Sequence, residues 1–314
     1  MKNLRTYSCS TVLVGLVALA MPAVANAQAT RTWVSGVGDD ANPCSRTAPC
    51  KTFAGTISKT ALNGEINCLD PGGYGVVTIT KSITIKCRYT EGGIVASGMN
   101  GIVINAATTS TVVLEGLDIA GLGSGQDGIR IVQAKSVKVL SSEIYGFARR
   151  GIDFEASNSG AKLLVADSHI FNNAGPGILV APPSGGNSTA TARTNLIAGN
   201  GCGIAATSHL ADPAFNFTAN CGTQLAGVGG AAKVNAFDNV IADSDATAGA
   251  TGSTGVFANG PSTSVRIGNN VIEGNNNGIK AIDPGAFGGI FTFGDNYLLG
   301  NVTNGTPNGT IAKQ

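Results

Sequence analysis

The stretch GNNVIEGNNNGI, Gly268 to Ile279, surrounds two isoleucines and one valine with five asparagines and three glycines. Asparagine and glycine are both poor helix formers and poor strand formers. Local propensity therefore predicts neither a helix nor a strand for this segment. The explanation must come from a role that the same residues repeat elsewhere in the chain.

The same features recur along the chain at a nearly constant spacing. Glycine followed by isoleucine or valine occurs every 23 to 27 residues, apart from one gap of 52 residues. These glycines are Gly101, Gly128, Gly151, Gly177, Gly203, Gly255 and Gly278. Between them, an asparagine or serine stands two positions before an isoleucine or leucine, as in Ser142-Glu143-Ile144. Such a period indicates a repeat architecture.

The repeat is too short for a pair of helices, and its β-branched runs, such as Val137-Lys138-Val139, are typical of short strands. A parallel β-helix fits both observations, since successive rungs stack at about 4.8 Å and place like residues over like. Stacked asparagines then form a hydrogen-bonded ladder, and stacked isoleucines fill the interior. An antiparallel sandwich with Asn-Gly turns is the alternative, but sandwiches do not repeat one phrase in register. The sequence predicts an all-β solenoid of about nine to ten rungs.

The rungs define the main segments of the chain. The β-helix is predicted over residues 64–301. An insertion at about 206–232 accounts for the gap of 52 residues, and residues 302–314 are predicted to be a C-terminal tail.

An N-terminal segment over residues 28–63 precedes the first rung. Within it, Pro49 to Leu62 has an apolar stripe and is predicted to be a short helix, with Thr47 as its cap. The open end of a β-helix would pair with other chains, so we expect this helix to cover it.

Residues 1–27 have the composition of a secretory signal peptide. Lys2 and Arg5 form a basic start, Thr11 to Ala20 is apolar, and Ala25-Asn26-Ala27 fits a cleavage site. A retained N-terminal anchor is the alternative, and no later stretch is apolar enough to span a membrane. We expect a monomer that is secreted, periplasmic or on the cell surface. Its net charge of about −1 without the signal gives no global attraction for nucleic acid.

Six cysteines follow the signal peptide, and an even number in an exported chain suggests disulfides. Fifteen pairings exist, and sequence order favours neighbours. We therefore predict the disulfides Cys44–Cys50, Cys68–Cys87 and Cys202–Cys221. No histidine stands at ligand spacing from a cysteine, so no metal site is predicted.

Several phrases near the start, together with the rungs, resemble a known superfamily. The phrases are RTWVSG from Arg31, GDDANP from Gly38, APCKTF from Ala48, LDPGGY from Leu69 and VTITKSITI from Val77. They resemble the opening of the pectin-lyase-like superfamily. The resemblance implies a right-handed parallel β-helix. It also implies a place among polysaccharide lyases, hydrolases, adhesins and phage tailspikes.

The first candidate site lies on two adjacent rungs. Strand alternation points Arg130, Asp153 and Glu155 outward, with Arg130 stacked on Asp153, and we predict these three as catalytic. Predicted substrate contacts are Asp127, Arg149, Arg150 and Tyr145. Carboxylates beside guanidinium groups suit binding a uronate or abstracting the proton next to one. The alternative is a surface ion-pair ladder that contributes little to stability.

A second candidate site is the column Asp118, Glu143 and His169, each just before a rung isoleucine. Two carboxylates one strand apart repel each other, which raises one pKa as acid–base pairs require. A histidine beside them is suited to relaying a proton. The alternative is a solvated polar stripe.

The sequence leaves two functions open. The first is binding or cleavage of an extracellular polysaccharide, and the second is a non-catalytic surface or adhesin-like role, which the scarcity of aromatic residues favours. Asp127-Gly128-Ile129 resembles the NTDG segment of polygalacturonases, but Ala148-Arg149-Arg150-Gly151 replaces their paired aspartates. For an enzyme we therefore expect a lyase rather than a hydrolase. Resemblance to pectate lyases implies calcium as the cofactor of such a lyase.

Overall fold

The structure is a computed structural model that describes residues 28–208, 221, 229–244, 253–286 and 288–313. The predicted signal peptide and most of the predicted insertion lie outside the described residues. No helix within the described ranges is long and apolar enough to cross a membrane.

The described strands form three parallel sheets, and the chain visits sheets A, B and C in turn in each rung. Sheet A has 11 strands: Ala29–Val34, Thr60–Cys68, Ile83–Lys86, Thr111–Glu115, Ser136–Leu140, Ser159–Ala166, Asn187–Arg193, Ala231–Phe237, Thr263–Gly268, Gly289–Thr292 and Gly309–Thr310. Sheet B has nine strands: Gly72–Gly73, Gly92–Val95, Leu117–Ala120, Glu143–Tyr145, His169–Phe171, Leu196–Ala198, Val240–Ala242, Val271–Glu273 and Tyr297–Leu299. Sheet C has eight strands: Val77–Ile79, Ile102–Asn105, Asp127–Gln133, Arg150–Phe154, Pro176–Val180, Cys202–Thr207, Thr254–Asn259 and Asn277–Ile282. The predicted parallel β-helix of nine to ten rungs is confirmed.

The interior is a set of aliphatic columns that run along the rod. Ile129 lies opposite Ile102 on one side and Ile152 on the other, and all three side chains are fully buried. Each such isoleucine contributes about 1.5–3 kcal/mol by leaving water. Because every rung needs its neighbours to cover this surface, the columns hold successive rungs together.

Asparagine ladders occupy two of the bends, as the opening stretch predicts. Between sheets A and B, the side chain of Asn195 donates to Asn239, and Asn239 donates to Asn270, each at 2.9 Å. Between sheets B and C, Asn275 donates to Asn301 at 2.9 Å. These buried amides satisfy one another and the rung backbone, so the asparagines stabilise bends rather than strands.

The bend from sheet A to sheet B is tight and follows the same geometry in successive rungs. Its residues with positive φ are Ser141, Asp167, Thr194, Asp238 and Asn269, with φ between 46° and 57°. A single left-handed residue lets the chain pass from sheet A to sheet B across two connecting positions. We call the side of the rod formed by these bends the A–B edge.

The N-terminal helix is shorter than the sequence predicts. It spans Phe53–Ile57, and its cap is Thr52, whose hydroxyl accepts a hydrogen bond from the Gly55 amide at 2.9 Å. Thr47 is not the cap. Of the residues expected to continue the helix, Ser58 and Lys59 form a turn and those from Thr60 to Leu62 begin the strand Thr60–Cys68, which pairs with its neighbours on both sides.

Phe53 fixes this helix on the first rungs. Its ring is fully buried and lies 5.2 Å from the ring of Tyr74, measured between centroids. The end of sheet A itself is covered by the strand Ala29–Val34 rather than by the helix. Helix and strand together therefore cover the N-terminal end of the rod.

All three predicted disulfides are present: Cys44–Cys50, Cys68–Cys87 and Cys202–Cys221. The third belongs to a second hydrophobic cluster outside the rod interior. This cluster also contains Leu179, Ala205 and Phe257, which lie on the outer face of sheet C and are fully buried. Part of that outer face is therefore covered instead of facing solvent.

Candidate functional site

Six charged residues gather on the outer face of sheet C and at its bend from sheet B. We call them the ion cluster: Asp127, Arg130, Arg149, Arg150, Asp153 and Glu155. Strand register brings them together, since Asp127 lies opposite Arg150 and Arg130 lies opposite Asp153. All of the charged residues of the first predicted site are therefore neighbours.

The register stacks Arg130 on Asp153 as expected, but the shortest ion pairs join other residues. Arg130 binds Glu155, with Nη2 at 2.6 Å and Nε at 2.7 Å from the same carboxylate oxygen. Asp153 accepts a hydrogen bond from Nη1 of Arg150 at 2.9 Å. Arg130 and Arg150 therefore make their shortest ion pairs with carboxylates other than their register partners. Arg150 also lies 3.8 Å from its own register partner, Asp127.

Asp153 does not reach solvent, contrary to the outward, accessible position that alternation suggests. It lies on the outer face as predicted, but it and Arg150 are buried. The next residue in its register is Leu179, which belongs to the second hydrophobic cluster. Strand alternation correctly predicts that the Asp153 side chain points outward. Its burial by the second hydrophobic cluster depends on tertiary packing, which alternation does not predict. Arg130 and Glu155 reach the surface, with side chains 37% and 25% exposed.

Asp127 is the least satisfied carboxylate of the ion cluster. It is fully buried, and neither of its oxygens accepts a hydrogen bond from a described residue. Nη1 of Arg149 lies 3.5 Å away, and Nη1 of Arg150 lies 3.8 Å away. Burial, followed by the charge of Asp153, raises the pKa of Asp127 to about 7 against the opposing effect of the arginines. Asp127 can therefore hold or release a proton near neutral pH.

Glu155 responds to the same surroundings. Burial and the neighbouring Asp153 raise its pKa, although Arg130 opposes the shift. The ion cluster is thus a coupled, largely dry network in which three carboxylates face three guanidinium groups.

The ion cluster does not fit calcium. Calcium takes six to eight oxygen ligands, whereas these carboxylates are already matched by guanidinium groups. Among the described residues, no three or more His, Cys, Asp or Glu side chains are placed to hold a metal ion. We therefore derive no step through calcium.

The second predicted column is formed on the outer face of sheet B. Glu143 lies opposite Asp118 on one side and His169 on the other. Nδ1 of His169 is 3.7 Å from a Glu143 carboxylate oxygen, and both side chains are 54% exposed. In contrast with the ion cluster, this column is accessible to a ligand.

Tyr145 belongs to this second column rather than to the first site, where the sequence had placed it. Burial, followed by the charge of the Asp118 carboxylate, raises the pKa of Tyr145. Its ring stacks on Phe171, with centroids 4.8 Å apart and planes 7° from parallel. The two rings stiffen the wall beside the carboxylates.

A concave region opens at the A–B edge next to this column. We call it the N-terminal groove, with a volume of about 590 Å³. Its polar and aromatic lining is Arg88, Tyr89, Thr90, Glu91, Asp118, Ser141 and Glu143. Sequence reasoning found Asp118 and Glu143 but missed the turn at residues 88–91. Its signal was the run RYTE directly after a cysteine-bearing strand, with an aromatic residue between charges.

Tyr89 is the most unusual residue of the groove. Its side chain is 94% exposed, and its φ of 67° lies in the left-handed region that bulky residues avoid. The Arg88 guanidinium lies 5.3 Å from the centre of its ring, and Arg88 also pairs with Glu115 at 3.4 Å. A strained, exposed tyrosine held beside a polar groove is an arrangement that marks binding sites.

Comparisons with known proteins agree on the architecture. A family model described as "Right handed beta helix region" matches residues 64–221, half of the chain. The structure is similar to that of pectate lyase Pel9A, with a TM-score of 0.59 and 15% identity over 90% of this chain and 78% of that one. It is also similar to the A-module of Azotobacter vinelandii mannuronan C-5 epimerase AlgE4, with a TM-score of 0.50 and 14% identity over 90% and 89%. A comparison with the curated proteins found no match. At these identities the likeness shows a shared fold.

Proposed function

This chain belongs to the right-handed β-helix family, as its resemblance to the pectin-lyase-like superfamily predicts, and from that premise we propose that it is an exported polysaccharide-binding protein. Two structures with this fold are named for a pectate lyase and a mannuronan epimerase, which supports a polysaccharide as the ligand class. Three disulfides support a location outside the cytoplasm.

The observation that carries the proposal is the N-terminal groove. Tyr89 offers an exposed aromatic face for the apolar face of a sugar ring, and its hydroxyl remains in water. Asp118 and Glu143 offer carboxylate oxygens that accept hydrogen bonds from sugar hydroxyls. A concave region with one apolar platform and a few polar groups on one side is the usual form of a small-ligand site.

The charges of the groove favour a neutral polysaccharide. Glu91, Asp118 and Glu143 line it, and Arg88 is the one basic residue among the named lining residues. The charge of Arg88 is already shared with Glu115. A uronate chain would bring its own negative charges to this surface and be repelled.

The experiment is a binding panel on the purified protein without its signal peptide. Neutral and uronate-containing polysaccharides are compared by affinity electrophoresis, using the wild type, Glu143→Gln and Asp283→Asn. Asp283 is an exposed carboxylate outside the groove, so its variant is the matched control. We expect binding of a neutral polysaccharide that weakens about tenfold in Glu143→Gln alone. Binding that is unchanged in Glu143→Gln, or that is confined to uronate polymers, would contradict the proposal.

A second candidate function is β-elimination on a uronate at the ion cluster, favoured by the pKa of about 7 at Asp127. Here Arg130, at the surface, would bind the uronate carboxylate, and an ionised carboxylate of the cluster would take the proton from the carbon next to it. The electron pair of that C–H bond would form the new C=C bond as the C–O bond to the glycosidic oxygen breaks, and that oxygen would leave as a hydroxyl after taking the proton from the carboxylic acid. The burial of Asp127 means that a substrate could reach it only after the cluster opens. Unsaturated-uronate absorbance that disappears in Arg130→Ala and Asp127→Asn would establish this activity. Its absence from folded wild-type protein would leave binding alone.

A further inference from the structure

A second depression lies at the other end of the A–B edge, and neither predicted site includes it. We call it the C-terminal groove, with a volume of about 500 Å³. Its lining is Asn269, Gly294, Asp295, Asn296, Tyr297 and Lys313. A smaller space of about 270 Å³ adjoins it beside Phe237 and Phe293.

The C-terminal groove has a polar rim, and two aromatic rings line the smaller space beside it. The rings of Phe237 and Phe293 are tilted against each other at 5.8 Å between centroids. Nζ of Lys313 lies 2.9 Å from one oxygen of Asp295. The other oxygen of Asp295 is buried and accepts no hydrogen bond from a described residue. The Asp295 side chain is 26% exposed, so it and the adjoining rings suit a ligand that carries both hydroxyls and C–H faces.

Tyr297 repeats the feature that distinguishes the N-terminal groove. Its side chain is 61% exposed on the outer face of sheet B. Strand register places it in the same row as Asp118 and Glu143, six strands beyond Asp118 along the rod. At about 4.8 Å per strand, the two grooves are about 29 Å apart along the axis.

The surface between the grooves is a continuous strip on sheet B. The intervening residues of the row are His169, Leu196, Val240 and Val271. Leu196 is 39% exposed, and both valines are partly exposed. An elongated chain can therefore lie along the row and cover apolar surface between two polar ends.

We propose that one chain of a neutral polysaccharide lies along the A–B edge and places a sugar unit in each groove. This inference rests on the proposed function. It adds a second binding site and the orientation of the polysaccharide chain along the rod. Once one groove holds the chain, the other meets it at high effective concentration, and the combined affinity exceeds that of either groove.

The test compares short and long oligosaccharides of whichever neutral polysaccharide the wild type binds. Isothermal titration calorimetry is run on the wild type, Tyr297→Ala, Tyr297→Phe and Tyr89→Gly. Oligosaccharides too short to span about 29 Å should bind the wild type at two sites per protein. They should bind Tyr297→Ala and Tyr89→Gly at one site each. Chains that span both grooves should bind the wild type once, and about tenfold or more tightly than each of those variants. Tyr297→Phe keeps the ring and should retain most of the affinity.

The outcomes separate this inference from the proposed function. Affinity for long chains that falls in Tyr89→Gly but is unchanged in Tyr297→Ala would overturn the second site while the first stands. Equal affinity for short and long chains would overturn the shared ligand. Absence of any binding by folded wild-type protein would overturn both. Circular dichroism and thermal melting confirm that each variant is folded.

Discussion

Arg130 lies directly opposite Asp153 on neighbouring strands, yet its guanidinium binds Glu155 at 2.6 Å while Asp153 is held by Arg150 at 2.9 Å. Register therefore decides which charges are neighbours, and burial decides which of them pair. The arrangement leaves Asp127 in the dry part of the cluster with no hydrogen bond from a described residue. The consequences can be measured as stability and as binding.

Asp127 makes stability depend on pH. Its pKa is about 7 in the folded protein, against about 3.9 in an unfolded chain. Between these pH values the folded state binds the Asp127 proton more tightly than the unfolded chain does. The stabilisation of the folded state by this proton is therefore complete below about pH 4 and is lost as the pH rises through about 7. The loss is at most about 4 kcal/mol. Urea unfolding of Asp127→Asn from pH 4 to pH 8 should show a smaller decline than the wild type. Parallel curves for the two proteins would contradict this account.

Substitution of an asparagine at the centre of the ladder should lower the free energy of unfolding. Asn239 is buried, donates to the Ala192 carbonyl and to Asn270, and accepts from Asn195. Asn239→Ala leaves these buried groups without partners, and we expect a loss of about 2–4 kcal/mol in the free energy of unfolding. The control Asn276→Ala removes a partly exposed amide and should change stability by less than about 0.5 kcal/mol. Equal losses in chemical denaturation would show that the ladder is not the cause.

The disulfide Cys202–Cys221 should hold the second hydrophobic cluster. Its cysteines are 19 positions apart, against six for Cys44–Cys50. Replacing both cysteines of the longer loop by alanine should destabilise by about 3 kcal/mol, and those of the shorter loop by about 2 kcal/mol. Differential scanning calorimetry of the two double variants makes the comparison. The opposite order of melting temperatures would refute the role assigned to the longer loop.

Tyr89 should contribute to binding at the expense of stability. Glycine adopts the positive φ of this position without strain, so Tyr89→Gly should unfold at the same temperature as the wild type or at a higher one. The gain is at most about 1 kcal/mol, because glycine also loses more chain entropy on folding. The same variant should bind polysaccharide at least tenfold more weakly, since the aromatic platform is gone. A variant that is strongly destabilised would show that Tyr89 is a structural residue.

The repeat made most of the fold predictable. The glycine spacing predicted the rungs, and the asparagines of the opening stretch predicted the ladders, because stacking places like residues over like. The order of the cysteines predicted the disulfide pairs. The C-terminal end of the helix at residues 53–57 was harder to predict. Strand pairing at Thr60–Cys68 overrode local helix propensity, and a single sequence does not show which strand will be its partner.

The sites were only partly predictable for a related reason. Alternation placed Asp153 on the outer face, but its burial depends on a second cluster that forms through Cys221, far away in sequence. Tyr145 was predicted as a substrate contact together with Arg149 and Arg150, but it lies on the strand Glu143–Tyr145 of sheet B. Tyr89 was missed because its importance comes from its conformation and exposure, and neither is visible in residue order.

The most direct test of the account is a crystal structure of the protein with a bound neutral oligosaccharide. We expect a sugar ring in van der Waals contact with Tyr89 and within hydrogen-bonding distance of Asp118 or Glu143. A sugar bound instead at Arg130 and Glu155 on sheet C, with the N-terminal groove empty, would contradict it.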